Sequence, residues 1–158
     1  EQLQNHSVDR EYSAIVYGHM IAGGTVDEPI GRDSKDRVKQ AVSMSGKDAI
    51  THYRAIDRFK SHTHVKAILE TGRTHQIRVH LSHVGHSLIG DPMYGGRVRF
   101  PKKASEELKG ALLNFKRQAL HSKKLSLTHP ISGEIMSWKA ALPKDMKDLL
   151  EVLKKFDS

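Results

Sequence analysis

Two glycines, Gly72 and Gly85, bracket the stretch that most limits how this chain can fold. Between them runs RTHQIRVHLSHV. Ile77, Leu81 and Val84 recur at i, i+4 and i+7, so a helix here carries one apolar stripe. Thr74 is placed to cap it, because its hydroxyl can accept an early helical N–H. Gly85 is placed for the left-handed residue that ends many helices. His75, Arg78 and Ser82 form an adjoining polar stripe, which puts Arg78 at the edge of the buried face. A guanidinium there needs a partner, since a lone buried charge is expensive. The rest of the chain has to pack around this helix and the charge it holds.

The flanking segments alternate. In residues 9–19, Tyr12, Ala14 and Val16 oppose Ser13, Ile15 and Tyr17. Apolar groups on both sides imply a strand buried on both faces. Residues 25–30 read as a short strand ended by Pro29, and residues 38–44 as another. Residues 49–60 and 64–71 read as a hairpin. Beyond the central helix, Leu108, Leu112 and Phe115 sit at helical spacing in residues 104–116. Residues 119–128 alternate, HPISGE turns, and IMSWKA returns as a strand. Pro143 opens a last helix with Met146, Leu149, Leu150 and Leu153 on its apolar face. Strands, one central helix, more strands and terminal helices make an α+β domain, with a mostly antiparallel mixed sheet flanked by helices.

The chain's 158 residues suit one domain. No run approaches the ~20 apolar residues of a membrane helix, and the opening EQLQNHSVDR is polar, unlike a signal peptide. Cysteine is absent, which excludes disulfides and thiolate metal sites and fits the cytoplasm. The first residue is Glu1, so the chain reads as a piece of a longer protein. Its net charge of +8 is uneven. Residues 1–96 hold 12 basic and 11 acidic side chains, residues 97–124 hold 9 and 2, and residues 125–158 hold 5 of each. A localised basic segment is the footprint of a polyanion binder, and Arg97, Arg99, Lys102 and Lys103 lead it. His75, His80, His83 and His86 cluster, but no cysteine or carboxylate pattern completes a metal site, so no metal is expected.

Three blocks in order carry a resemblance: REYSAIVYGHM, then GRTHQIRVH with GHSLIGDPMYGG, then QALHSKKLSLTHPISGE. Together they resemble the catalytic domain of bacterial rRNA pseudouridine synthases, closest to the D-type branch that modifies large-subunit 23S rRNA. The resemblance implies a mixed sheet flanked by helices, with an RNA cleft across it. It implies isomerisation of uridine to pseudouridine without any cofactor. It implies 23S rRNA, in the large subunit or its precursor, as partner, with neither DNA nor membrane. Tyr12 matches the tyrosine that stacks on the target uracil, and Arg78 the arginine that pairs with the catalytic aspartate. Ile77 and Leu120 match apolar wall positions of the pocket, and Arg73 and His75 fall where RNA contacts are expected. The catalytic aspartate itself belongs to a block like His-Arg-Leu-Asp, upstream of the strand of Tyr12, and no such block occurs here. Asp27 and Asp91 match turn aspartates instead. Residues 1–158 are therefore expected to be the C-terminal half of the catalytic domain, without the aspartate-bearing half and the preceding RNA-binding domain. The alternative is a non-catalytic RNA-binding module of the same fold.

Overall fold

The computed structural model of the chain describes residues 8–158. Six strands make the main sheet: β1 (Val8–Tyr17), β2 (Gly24–Asp27), β5 (Ile50–Arg58), β6 (His62–Leu69), β7 (Leu120–Thr128) and β8 (Ile135–Lys139). Two short strands, β3 (Ile30–Arg32) and β4 (Gln40–Val42), form a separate hairpin. The helices are α1 (Gln76–His83), α2 (Glu106–Asn114) and α3 (Lys144–Phe156). The main sheet runs β2-β5-β6-β1-β7-β8, and every neighbouring pair is antiparallel.

β1 lies inside this sheet, and Ala14, Ile15 and Val16 have no exposed surface. Ala14 and Val16 pack with Val65, Ala67 and Leu69 under Ile77 and Leu81 of α1. Ile15 and Tyr17 face the other way, onto Leu108 and Leu112 of α2 and Met146, Leu149 and Leu153 of α3. Two-sided alternation in the sequence thus becomes a sheet covered on both faces. The β1–β7 register slips between Glu11 and Tyr12, a bulge of the kind that re-aims side chains.

Several expectations shift in detail. The strand read over residues 25–30 breaks at Glu28-Pro29, where proline has no N–H for the ladder. Its first part pairs with β5 and its second with β4. Thr74 does not cap α1. The cap position is His75, left-handed at φ 57° with no side-chain bond. The Gln76 side chain instead reaches back, its Oε1 accepting the N–H of Arg73 ahead of the helix at 3.0 Å. Val84 falls just past the helix and is 36% exposed, so the apolar stripe stops at Leu81. Gly85 is left-handed as expected, at φ +87°. Among the described residues, no helix is long and apolar enough to cross a membrane.

Candidate functional site

The helix α1 stands on a polar plug rather than on a purely apolar face. Gln76 is 2% exposed. Its Nε2 donates to the Ile50 carbonyl and to Thr51 Oγ1, both at 2.9 Å. Its Oε1 accepts from Thr71 Oγ1 at 2.7 Å. Thr51 Oγ1 also meets His80 Nδ1 at 2.8 Å, and His80 Nε2 meets the Glu28 carbonyl at 2.9 Å. A carbonyl can only accept, so Nε2 carries the ring proton and Thr51 donates to Nδ1. Burial holds the His80 imidazole below its usual pKa, in keeping with this neutral tautomer. Every polar atom of the plug is used, which fixes the first turn of α1 against β5.

That turn carries Arg78. Its Nε donates to Asp91 Oδ2 at 2.9 Å, and a terminal nitrogen donates to Oδ1 at 2.8 Å. Asp91 is a turn residue: Oδ1 also accepts the Met93 and Tyr94 N–H groups at 2.9 and 3.1 Å. Burial pushes the Asp91 carboxyl up, but Arg78 and the two amides outweigh it and the net shift is downward. Asp91 in turn raises the Arg78 pKa. The guanidinium therefore already has a carboxylate partner inside this chain, where the resemblance assigned it one outside. It also lies 4.9 Å from the centre of the Tyr94 ring. Tyr94 Oη accepts the Gln40 N–H at 2.8 Å and shares a hydrogen bond with His75 Nδ1 at 2.8 Å. Burial and the neighbouring Arg78 charge lower the His75 pKa. His75 is thus biased toward its neutral form.

Beside this frame lies a cleft of about 230 Å³. Tyr12 and Arg10 reach it from β1, Leu120 from the start of β7, and Arg73, His75, Ile77 and Arg78 from α1 and its turn. All six residues expected at a uridine site or its RNA contacts near α1 meet here, although they come from three distant segments. The volume is below the ~300–1,000 Å³ of sites for larger ligands and suits one extruded base. An aromatic ring, an apolar wall, a held guanidinium and a neutral imidazole are the groups that recognise a base by stacking and hydrogen bonding. Among the described residues, no carboxylate lines the cleft.

Arg97, Arg99, Lys102 and Lys103 are exposed and none lines the cleft. Arg99 stacks 4.2 Å above the Tyr17 ring and donates to Ser87 Oγ at 2.7 Å. Sequence reasoning missed Asp91 as the partner of Arg78, since a thirteen-residue separation across a turn leaves no periodic trace. It also missed Gln76, His80, Tyr94 and Arg10. Arg10 had a signal, being two residues before Tyr12 and so on the same face of the strand.

A six-stranded antiparallel sheet with helices on both faces is an architecture this chain shares with pseudouridine synthase domains of known structure. The structure of human RNA pseudouridylate synthase domain containing 4 superposes with a TM-score of 0.73 at 26% identity, covering 97% of this chain and 65% of that one. Human RNA pseudouridylate synthase domain containing 1 shares the fold at a TM-score of 0.70 and 22% identity, covering 99% and 70%. The family model described as RNA pseudouridylate synthase matches residues 1–83, and the chain belongs to that family. Ribosomal large subunit pseudouridine synthase D of Escherichia coli strain K12 is 54% identical over 154 residues, 98% of this chain and 47% of that protein. The protein of the same name from Pseudomonas aeruginosa is 54% identical over 153 residues, 97% and 48%. The chain spans about half the length of these curated relatives.

The titrating groups set an expected acid response. His64, His75 and His80 all have lowered pKa values, with burial the largest cause in each. A base held neutral in the fold takes up its proton on unfolding. Stability is therefore full above the unfolded histidine value near ~6.5 and falls as pH drops below it. Asp91 is depressed too, so its contribution is present above ~3.9 and is lost as pH falls through its folded value. A series of thermal midpoints from pH 8 to pH 3 should show two declines. A flat profile between neutrality and pH 5 would mean that the histidines titrate alike in both states.

Proposed function

We propose that this chain is the uridine-holding half of a pseudouridine synthase catalytic domain, and that in the longer protein it isomerises uridines of large-subunit 23S rRNA. The observation that carries this reading is the meeting of Tyr12, Ile77, Arg78 and Leu120 in one base-sized cleft. The N1–C1′ bond of uridine breaks, the base turns, C5 bonds to C1′, the C5 proton leaves, and N1 takes up a proton. In this reading Tyr12 stacks on the base throughout, and Ile77 and Leu120 close its apolar side. Arg78, held by Asp91 along one edge, keeps its other N–H groups for a second acceptor. That acceptor is the catalytic carboxylate, supplied by the upstream half that the relatives' length allows for. The working place is the cytoplasm, where ribosomes are assembled. The exposed cations of residues 97–103 add to the attraction for RNA.

That none of the described residues brings a carboxylate to the cleft favours a second statement: by itself the chain binds RNA without acting on it. Incubating it with rRNA fragments tritiated at uridine C5 should release no tritium. Restoring the upstream half should restore release. Turnover by the chain alone would mean that another carboxylate is the nucleophile, and this assignment would be wrong.

A further inference from the structure

Arg10 is the cleft cation that the proposed reaction leaves unused. Its guanidinium packs on the backbone of Gly72, where an added Cβ would lie 2.5 Å from both terminal nitrogens. Its Nε is buried and has no hydrogen-bond partner. No carboxylate among the described residues pairs with it, whereas Arg78 has Asp91 and Lys66 has Glu11. A guanidinium fixed in place with its donors uncommitted is built for an anion, and its planar fork suits phosphate.

The next residue past Gly72 repeats the pattern. Arg73 Nε donates to the Asp48 carbonyl at 2.7 Å, which orients the side chain and leaves its two terminal nitrogens. Gly72 and Arg73 also border a second hollow, of about 530 Å³, beneath the β3–β4 hairpin. Arg32 and Lys47 line it, and none of the acidic side chains among the described residues does. The two hollows thus share a rim, and four cations run from Arg10 in the first to Arg32 and Lys47 in the second. A lone carboxylate could use one of them. A polyanion uses them all.

We infer that Arg10 and Arg73, flanking Gly72, grip the phosphodiester next to the flipped nucleotide, and that the RNA strand continues along the groove of Arg32 and Lys47. This rests on the reading of the cleft as a uridine site. A base turned into the cleft stays joined to its strand, so its phosphates must lie at the rim.

The test uses the full-length protein containing this chain and a short RNA hairpin with uridine in its loop. Affinity is measured across a salt series. Arg10→Ala should weaken binding about tenfold, the loss of one charged hydrogen-bonded contact. It should also flatten the salt slope by about 0.7–1, one phosphate contact. Arg73→Ala, and Arg32→Ala with Lys47→Ala, should behave alike. Gly72→Ala is the sharper variant: only the flexible end of Arg10 must move aside, so the thermal midpoint should hold while affinity falls. Combined with Arg10→Ala it should add nothing, because both remove the same contact. Lys147→Ala, on the outer face of α3, is the control and should change neither quantity. Unchanged affinity, weakened binding with an unchanged salt slope, or additive losses from Gly72→Ala and Arg10→Ala would each overturn the grip. Failure of the unaltered protein to bind the hairpin would overturn the uridine-site reading itself.

Discussion

Arg78→Ala is expected to destabilise the chain by about 3–5 kcal/mol, the cost of leaving one member of a buried ion pair alone. Asp91 has no exposed side-chain surface. Two backbone N–H groups still reach its Oδ1, which points to the lower end of that range. In a domain of this size ~3 kcal/mol lowers the thermal midpoint by roughly 6–12 °C. Pairing Arg78→Leu with Asp91→Asn should recover part of the loss, because no buried charge then stands unmatched. Arg78→Lys keeps the charge but cannot make the two-point fork. In the full-length protein that change should raise the reaction barrier by ~2–4 kcal/mol, the scale of one preorganised electrostatic contact. RNA affinity should hardly move. Normal turnover by the lysine variant would reduce Arg78 to a structural charge whose whole task is to hold the Asp91 turn.

Gln76→Ala should be nearly as damaging, at about 3 kcal/mol, although the residue carries no charge. Removing the amide takes the acceptor from the Arg73 N–H and the Thr71 hydroxyl, while the Ile50 carbonyl keeps the Glu70 N–H and Thr51 keeps His80. Each unsatisfied buried group costs about 1–3 kcal/mol, and local rearrangement relieves some of them. Gln76→Glu should fare no better, since it turns a donor toward the Ile50 carbonyl into a buried negative oxygen. Thermal melts and amide exchange at Arg73 and Val79 would report both effects. A midpoint within about 2 °C of the parent, on the same size scaling, would show that water fills the plug without cost.

Much of the fold follows from patterns a reader can see. Strands β1, β5, β6, β7 and β8 and all three helices lie where period and turn residues put them, because each buries a regular face. The Tyr12–Ala14–Val16 alternation gave the two-faced burial of β1 directly. The site was legible only through the resemblance: nothing in the spacing of Tyr12, Ile77 and Leu120 says that they meet. What stayed hidden are pairings made across turns. Asp91 reads as a turn residue and is one, and its hold on Arg78 depends on where the turn lands. Thr74 looked like a cap, but the helix starts one residue later, at a left-handed His75 whose side chain turns to Tyr94 instead. The break at Pro29 was visible, while the exchange of partners that follows it was not.

The pairing of β1 has a consequence for the order in which the molecule is made. Its neighbours are β6 and β7, so residues 10–14 meet residues 65–69 on one side and 120–125 on the other. Contacts between such distant segments form late, after long loops have closed. Tyr12 is made well before Leu120, so the cleft they share stays open while the chain between them is made. Arg97, Arg99, Lys102 and Lys103 also precede Leu120 and exist before that cleft is finished. The cleft cannot close until the first residues of β7 have paired with β1.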